Sequence, residues 1–250
     1  MNLLTKSISY FLVTLSPFQM LASQSFSATI HPLGKPTASP DFVFVRLYSE
    51  NKFTSKFAYP NGKPAAVETI TLNENGQPSL YKLQQYQTNE RAFFKITTET
   101  VFMEYTKNGE TKKEELNNES NMIIPPMLLT YIQDNWQKIK NDMDHEVKLI
   151  IPHMLTYFRF SFRYNPKKPN ELIFEPSNFL VRWIADPLVM KIEPKSGRVV
   201  EASGPSMLFK RDGKKLKAFL GTSIFNYDKE SIKNVFSDSG SQMKSADESL

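Results

Sequence analysis

The sequence predicts a mainly β protein: a single curved antiparallel sheet or half-barrel of about ten to twelve strands, with one central amphipathic helix packed on it. Three observations carry this expectation. Asn61-Gly62, Asn75-Gly76, Asn108-Gly109, Ser196-Gly197 and Asp212-Gly213 each sit between runs of strand texture, and such pairs supply the positive φ angles of tight hairpins. A strict alternation sets Phe158, Phe160, Phe162 and Tyr164 on one face, with Tyr157, Arg159, Ser161 and Arg163 on the other. Helical spacing dominates one stretch only, where Leu128, Ile132, Trp136, Ile139 and Met143 recur at three and four.

Taken in order, residues 1–27 read as a secretory signal peptide: Lys6, an apolar run from Ile8 to Leu15, then Pro17 and small residues. The small-x-small rule places cleavage after Ser27, with a second site near Ala22. Residues 28–40, rich in Pro, Ser and Thr, are expected as a flexible lead-in. A single β-rich domain is expected over 41–225. It opens with DFVFVRLYS, apolar on both faces, and continues as hairpins through PSLYKLQQYQ, TVFMEYTK and ETKKEEL. Pro125 and Pro126 start the helix near 126–143, where a missing N–H does no harm. Residues 226–250 are expected as a short helix, Asp228 to Phe236, and a disordered polar tail.

Composition narrows the function classes. The chain has 40% hydrophobic residues and a formal net charge of +5. Its basic residues are interspersed with 26 acids, which argues against a nucleic-acid stripe. There is no cysteine, which excludes thiolate metal sites and thiol catalysis and leaves packing to hold the core. Outside the leader no stretch approaches the roughly 20 apolar residues of a membrane helix, so the mature chain is expected to be periplasmic or secreted, without a transmembrane segment.

Catalytic and metal motifs are sparse. Ser49-Glu50-Asn51-Lys52 and Ser79-Leu80-Tyr81-Lys82 match S-x-x-K but fall on strands, whereas that chemistry needs a helix start. His31, His145 and His153 lack metal-ligand spacing. Glu175, Asp186 and Glu193 are the carboxylates available for a hydrolase reading, although Asp186-Pro187 is also an ordinary turn opening. No catalytic residue, metal or cofactor is assigned.

The sharper pattern is apolar. Phe179, Val181 and Trp183 share one face of NFLVRWI, and Arg159, Arg163 and Arg182 can align across strands opposite the aromatic face. One helix covers a strip about 10 Å wide, whereas ten strands at about 4.8 Å present a broader face. Phe158, Phe160, Phe162, Tyr164 and Trp183 are therefore either core beneath the helix or the lining of a cavity that the helix partly fills, and they are the candidate ligand-binding residues.

A proline pair (Pro125, Pro126) before a helix bearing Tyr131 and Trp136, followed by Pro176, Ser177, Arg182, Asp186-Pro187-Leu188, Gly197-Arg198, Gly204 and Ser206, resembles a family of exported bacterial proteins of unknown function over roughly residues 65 to 210. In architecture the reading is also similar to periplasmic lipoprotein and lipid carriers, whose curved sheets wrap helices around an apolar cavity; the comparison is one of fold. The leader, the sparse catalytic motifs and the broad apolar face together lead to the expectation of an exported, non-enzymatic protein that binds or carries a lipid-like apolar ligand in the cell envelope. The alternatives are a structural or interaction component that docks an envelope protein, and a hydrolase using Glu175 and Asp186.

Overall fold

The computed structural model of the chain describes residues 25–142, 145–178, 182, 186–212 and 215–228. Fifteen strands form one sheet. They are β1 (Phe26–Pro32), β2 (Phe42–Ser49), β3 (Lys52–Ala58), β4 (Pro64–Leu72), β5 (Pro78–Gln85), β6 (Glu90–Ile96), β7 (Thr100–Lys107), β8 (Glu110–Asn117), β9 (Met122–Ile123), β10 (Glu146–Ile151), β11 (Thr156–Tyr164), β12 (Glu171–Pro176), β13 (Leu188–Ile192), β14 (Val199–Asp212) and β15 (Lys215–Asn226). The spatial order runs from β8 down to β1, passes to β15, and descends to β9. All neighbours are antiparallel except β9 and β10, which are parallel.

The mainly β, single-sheet expectation holds, but the count of ten to twelve strands is corrected to fifteen. The shortfall lies where no glycine marks a turn. Strand β6 is entered through Asn89 at φ 56°, the β2–β3 turn uses Glu50 at φ 51°, and β9 is two residues long. At Asn108-Gly109 both central residues have positive φ, 53° and 83°, as a two-residue hairpin joining Lys107 to Glu110 requires.

Strands β8 and β9 are the two edges of the sheet, yet only residues 118–121 separate them in the chain. A flat sheet of this size would be roughly 67 Å wide, and such a link reaches at most about 18 Å. The sheet must roll until its edges nearly meet. Side chains make that contact: Phe94 and Met103 from β6 and β7 share one core with Ile124, Ile150 and Leu155 from the far edge. Register shows which faces touch. Ile150 lies opposite Tyr157, while Val147 lies opposite Phe160, so the two sets point to opposite sides of β10. The first set packs on β3–β7 and the second on the helical segment and β12–β14. Strand β10 is thus tucked inside the roll with apolar contacts on both faces. A third core joins β1, β2, β14 and β15 around Phe42, Phe44, Leu208 and Phe219.

The expected helix near 126–143 is in fact a 3-10 turn, Pro125–Met127, followed by α1 (Leu128–Asp134) and α2 (Trp136–Asn141). The break falls at Asn135, whose φ and ψ are −108° and 14° and whose side-chain amide donates to the Tyr131 carbonyl at 3.0 Å, a local bond that competes with helix continuation. The apolar stripe still faces inward: Ile132, Trp136 and Ile139 are buried. Met143 lies outside the described residues, as does the short helix expected beyond Asp228.

The N-terminal expectation also changes. Instead of a flexible lead-in, residues 28–32 belong to β1, which pairs with both β2 and β15. Phe26 is 6% exposed, with its ring 5.5 Å from Phe44, 5.8 Å from Phe225 and 5.2 Å from Tyr227. Ser25 Oγ accepts the Tyr48 amide at 3.0 Å. The greasy Phe26 inside a small-residue stretch is a core side chain.

Two stability predictions arise. Processing after Ser27 would remove Phe26 from the core, so a chain beginning at Ala28 should be about 3 kcal/mol or more less stable than one beginning at Ser25 in denaturant titrations, and the N-terminus of an exported chain should lie at or upstream of Ser25. Gly197 has φ +71°, and a Cβ there would stand 2.6 Å from Trp136 Cγ. Gly76, at φ +74°, faces open space. Gly197→Ala should therefore lower the denaturation midpoint clearly more than Gly76→Ala, whose cost is the left-handed backbone alone, about 1 kcal/mol.

Candidate functional site

The aromatic strip of β11 is met by other side chains. Phe162 is fully buried, with Tyr131 stacked at 6.0 Å and Phe174 at 4.7 Å. Phe160 stacks on Phe174 at 4.7 Å, and Tyr164 meets Trp136 edge-on at 5.2 Å. Phe158 is half-buried and joins none of the three cores. Trp183, with Phe179 and Val181, lies outside the described residues.

On the other face, Arg163 and Arg182 converge on Glu175 Oε1 at 2.8 and 3.2 Å, while Arg159 reaches toward Glu146 at 3.7 Å. Asp186 is exposed, and Glu193 accepts the Ser196 hydroxyl at 2.9 Å. His31 bonds Thr29 and the Ala38 carbonyl. Among the described residues no cluster of three or more His, Asp or Glu could hold a metal ion, and no helix is long and apolar enough to cross a membrane.

Trp136 ties the helical segment to the late strands, and Arg182, Gly204 and Ser206 make close contacts of their own. Trp136 Nε1 donates to the Pro194 carbonyl at 2.8 Å and sits over Gly197. Arg182 donates to the carbonyls of Pro176 and Ser177, and Ser206 Oγ donates to Phe219 O while accepting from Leu208 N. Gly204, at φ +147°, leaves no room for a Cβ against the Pro187 carbonyl, 2.6 Å away.

Two polar constellations escaped the sequence reading. The first is sealed in the wall of β2–β5. Arg46, Ser55, Glu68 and Tyr81 are all buried. Arg46 Nε donates to Ser55 Oγ at 2.9 Å, Tyr81 donates to Glu68 Oε1 at 2.9 Å, and the guanidinium lies 5.2 Å from the Phe26 ring centroid. Burial raises Glu68 to about 7, outweighing the opposing pull of Arg46 and of the Tyr81 hydrogen bond. Burial likewise lowers Arg46 to about 10, which leaves it a cation at neutral pH.

The second constellation borders a cavity of about 490 Å³ at the seam between β8 and β9. The β4–β5 turn supplies Asn73 and Gln77, the β6–β7 turn Thr97 and Thr98, and the linking loop Asn118, Glu119 and Ser120. Ile96, Val101, Met122, Met127 and Ile150 form its apolar wall, and α1 contributes Thr130, Tyr131 and Asp134. Glu119 pairs with Lys148. Burial raises the Asp134 carboxyl above its ordinary value and does the same to the Tyr131 phenol. The Tyr131 hydroxyl lies 2.9 Å from His145 Nε2, and His145 Nδ1 lies 3.5 Å from Asp142. Tyr131 therefore divides the cavity from Phe162, which stacks against its ring. None of Phe158, Phe160, Phe162 and Tyr164 borders this cavity. The spacing of Tyr131 and Asp134 at i and i+3 is the sequence signal that would have placed both on one side of the helix.

Glu68 makes stability depend on pH in a stated direction. In the folded chain the carboxyl holds its proton up to about 7, well above the 4.5 of a free glutamate side chain. Between those values the native state binds more protons than the unfolded state, so stability should fall as pH rises through that window, by a few kcal/mol at most at about 1.4 kcal/mol per unit. Urea titrations from acid to neutral pH should show this decline, and Glu68→Gln should flatten it. No protein-family model and no curated protein matches the chain.

Proposed function

We propose that this is an exported, non-enzymatic binding protein that carries a small amphipathic, lipid-like molecule in the seam cavity. The observation that supports this reading is the cavity itself: about 490 Å³, lined by apolar side chains together with Asp134. That volume falls within the roughly 300–1,000 Å³ of small-molecule sites, which pair apolar linings with a few placed polar groups. The ligand's apolar part lies along Val101, Met127 and Ile150. Its head group is a cation or hydrogen-bond donor that meets Asp134, for which no ion pair or hydrogen bond occurs among the described residues. Glu175, held by two guanidinium groups, favours this reading over a hydrolase built on Glu175 and Asp186.

The test is fluorescence titration with a medium-chain alkyl amine and the matching alkyl sulfate, joined to mass spectrometry of organic extracts from natively purified protein. The amine should bind in preference to the sulfate and tighten as pH rises through the elevated Asp134 titration, because the ionised carboxylate is the partner. Asp134→Asn should weaken amine binding about tenfold, on the order of 1.4 kcal/mol, and Val101→Trp should abolish binding by filling the space. Equal binding of both probes by the wild type and by Val101→Trp would overturn the proposal.

A further inference from the structure

The β14–β15 hairpin gathers features that the seam cavity does not use. Among the described residues five large hydrophobic side chains are exposed, and Leu33, Leu216 and Leu220 are three of them. Register brings these three together. His31 lies opposite Thr222 and Pro32 opposite Gly221, so the turn that begins at Leu33 starts at the level of Leu220 on β15. Alternation puts Leu216, Ala218 and Leu220 on one side of β15, while Phe219 points the other way into the core with Phe42. The outer surface at this end of the roll is therefore an apolar strip.

Cations accompany the strip. Residues 210–217 carry Lys210, Arg211, Lys214, Lys215 and Lys217 against Asp212, a formal +4, and Lys35 lies in the turn after Leu33. Arg211 is the register partner of Leu216 and shares its face, while Lys210, Lys215 and Lys217 alternate onto the face of Phe219. Lys35, Lys210, Arg211, Lys215 and Lys217 are exposed. Lys210 pairs with Asp41 at 2.7 Å and Lys217 with Asp212 at 2.6 Å, the lysines being 53% and 63% exposed. Solvent-exposed pairs of this kind contribute little and exchange readily. Arg211 and Lys215 have no ion pair among the described residues.

A hairpin with leucines and one arginine on one face and lysines on the other complements the boundary of an anionic bilayer, where acyl chains and phosphates lie within a few ångströms of each other. A nucleic acid offers the phosphates without the apolar layer. We infer that the β14–β15 hairpin docks the protein on an anionic lipid surface as an amphipathic ribbon, with Leu33, Leu216 and Leu220 entering the interface, Arg211 beside them, and Lys210, Lys215 and Lys217 reaching lipid phosphates from the opposite face along their long stems. The inference is independent of the cavity, since none of these residues borders it.

Vesicle flotation with the full chain tests it, using phosphatidylcholine alone and phosphatidylcholine mixed with phosphatidylglycerol. Binding should favour the anionic vesicles by about tenfold or more at low ionic strength and fall steeply with added salt. Arg211→Glu with Lys215→Glu should erase the preference for anionic vesicles. Leu216→Ser with Leu220→Ser should weaken binding several-fold while the remaining binding keeps its salt dependence, and the surface position of all four side chains leaves the variants folded by thermal unfolding. Val101→Trp should leave vesicle binding unchanged, which separates this result from that of the cavity. No binding to anionic vesicles at low salt, or equal binding to both vesicle types, overturns the inference. So does binding to heparin or duplex DNA as tight as to vesicles and indifferent to the leucine substitutions, which would assign the hairpin to a polyanion.

Discussion

The short link between β8 and β9 governs the shape of the molecule. Hydrogen bonding propagates the sheet outward from the β1–β15 pair in both directions, and each added strand widens it by about 4.8 Å. Residues 118–121 then tie the two outermost strands together. The strands cannot satisfy both conditions in a plane, so the sheet rolls, and β10 passes inside the wall of β3–β7 with apolar contacts on both faces. Because the edges meet through side chains and not through a ladder, the seam leaves room. The cavity lies where the sheet comes close to closure without pairing.

The open edge is managed chemically. Strand β8 reads ETKKEELN and is exposed along nearly its whole length, and charge of this density discourages another chain from pairing with it. Behind it the linking loop is fastened by the Glu119–Lys148 ion pair and by the Lys148 amide donating to the Asn121 carbonyl at 2.9 Å. Lys148 also lies 4.7 Å from the Tyr157 ring centroid. Deeper in the wall, Arg46 is a costly group to bury; Ser55, Glu68 and the Phe26 and Phe44 rings supply its partners.

Much of the fold was legible because its signals are local. Asn108-Gly109 announces its turn, and Ile132, Trp136 and Ile139 announce a buried helical stripe. The alternation of β11 gave the correct faces, with Phe162 inward and Arg163 outward. What escaped depends on contacts distant in sequence. Phe26 sits among small polar residues and becomes a core residue only when Phe225 and Tyr227 arrive. The kink at Asn135 depends on one side-chain bond to Tyr131. The candidate site is legible least of all: Asp134, Val101 and Thr97 carry no motif, and only the rolled sheet brings them to one cavity. Conversely, the aromatic strip that the sequence makes conspicuous packs against Tyr131, Trp136 and Phe174.

The pairing of β1 with β15 has a consequence for how the chain acquires its structure. Nearly every other contact in the ladder joins strands that follow one another in sequence, so most of the sheet can zip through short loop closures. Ser27 and Asn226 are register partners, which places about 200 residues between the two sides of this one junction, and closing such a loop is entropically the most demanding step. Two meanders, β2–β8 and β10–β14, can therefore order separately while β1 waits for the last strand to emerge. A chain rearranged to start within residues 118–121, with the segments before β1 and after β15 joined, would meet its strands in spatial order from one edge to the other; the natural order instead withholds the centre of the sheet until β15, the last strand of the order, has been made.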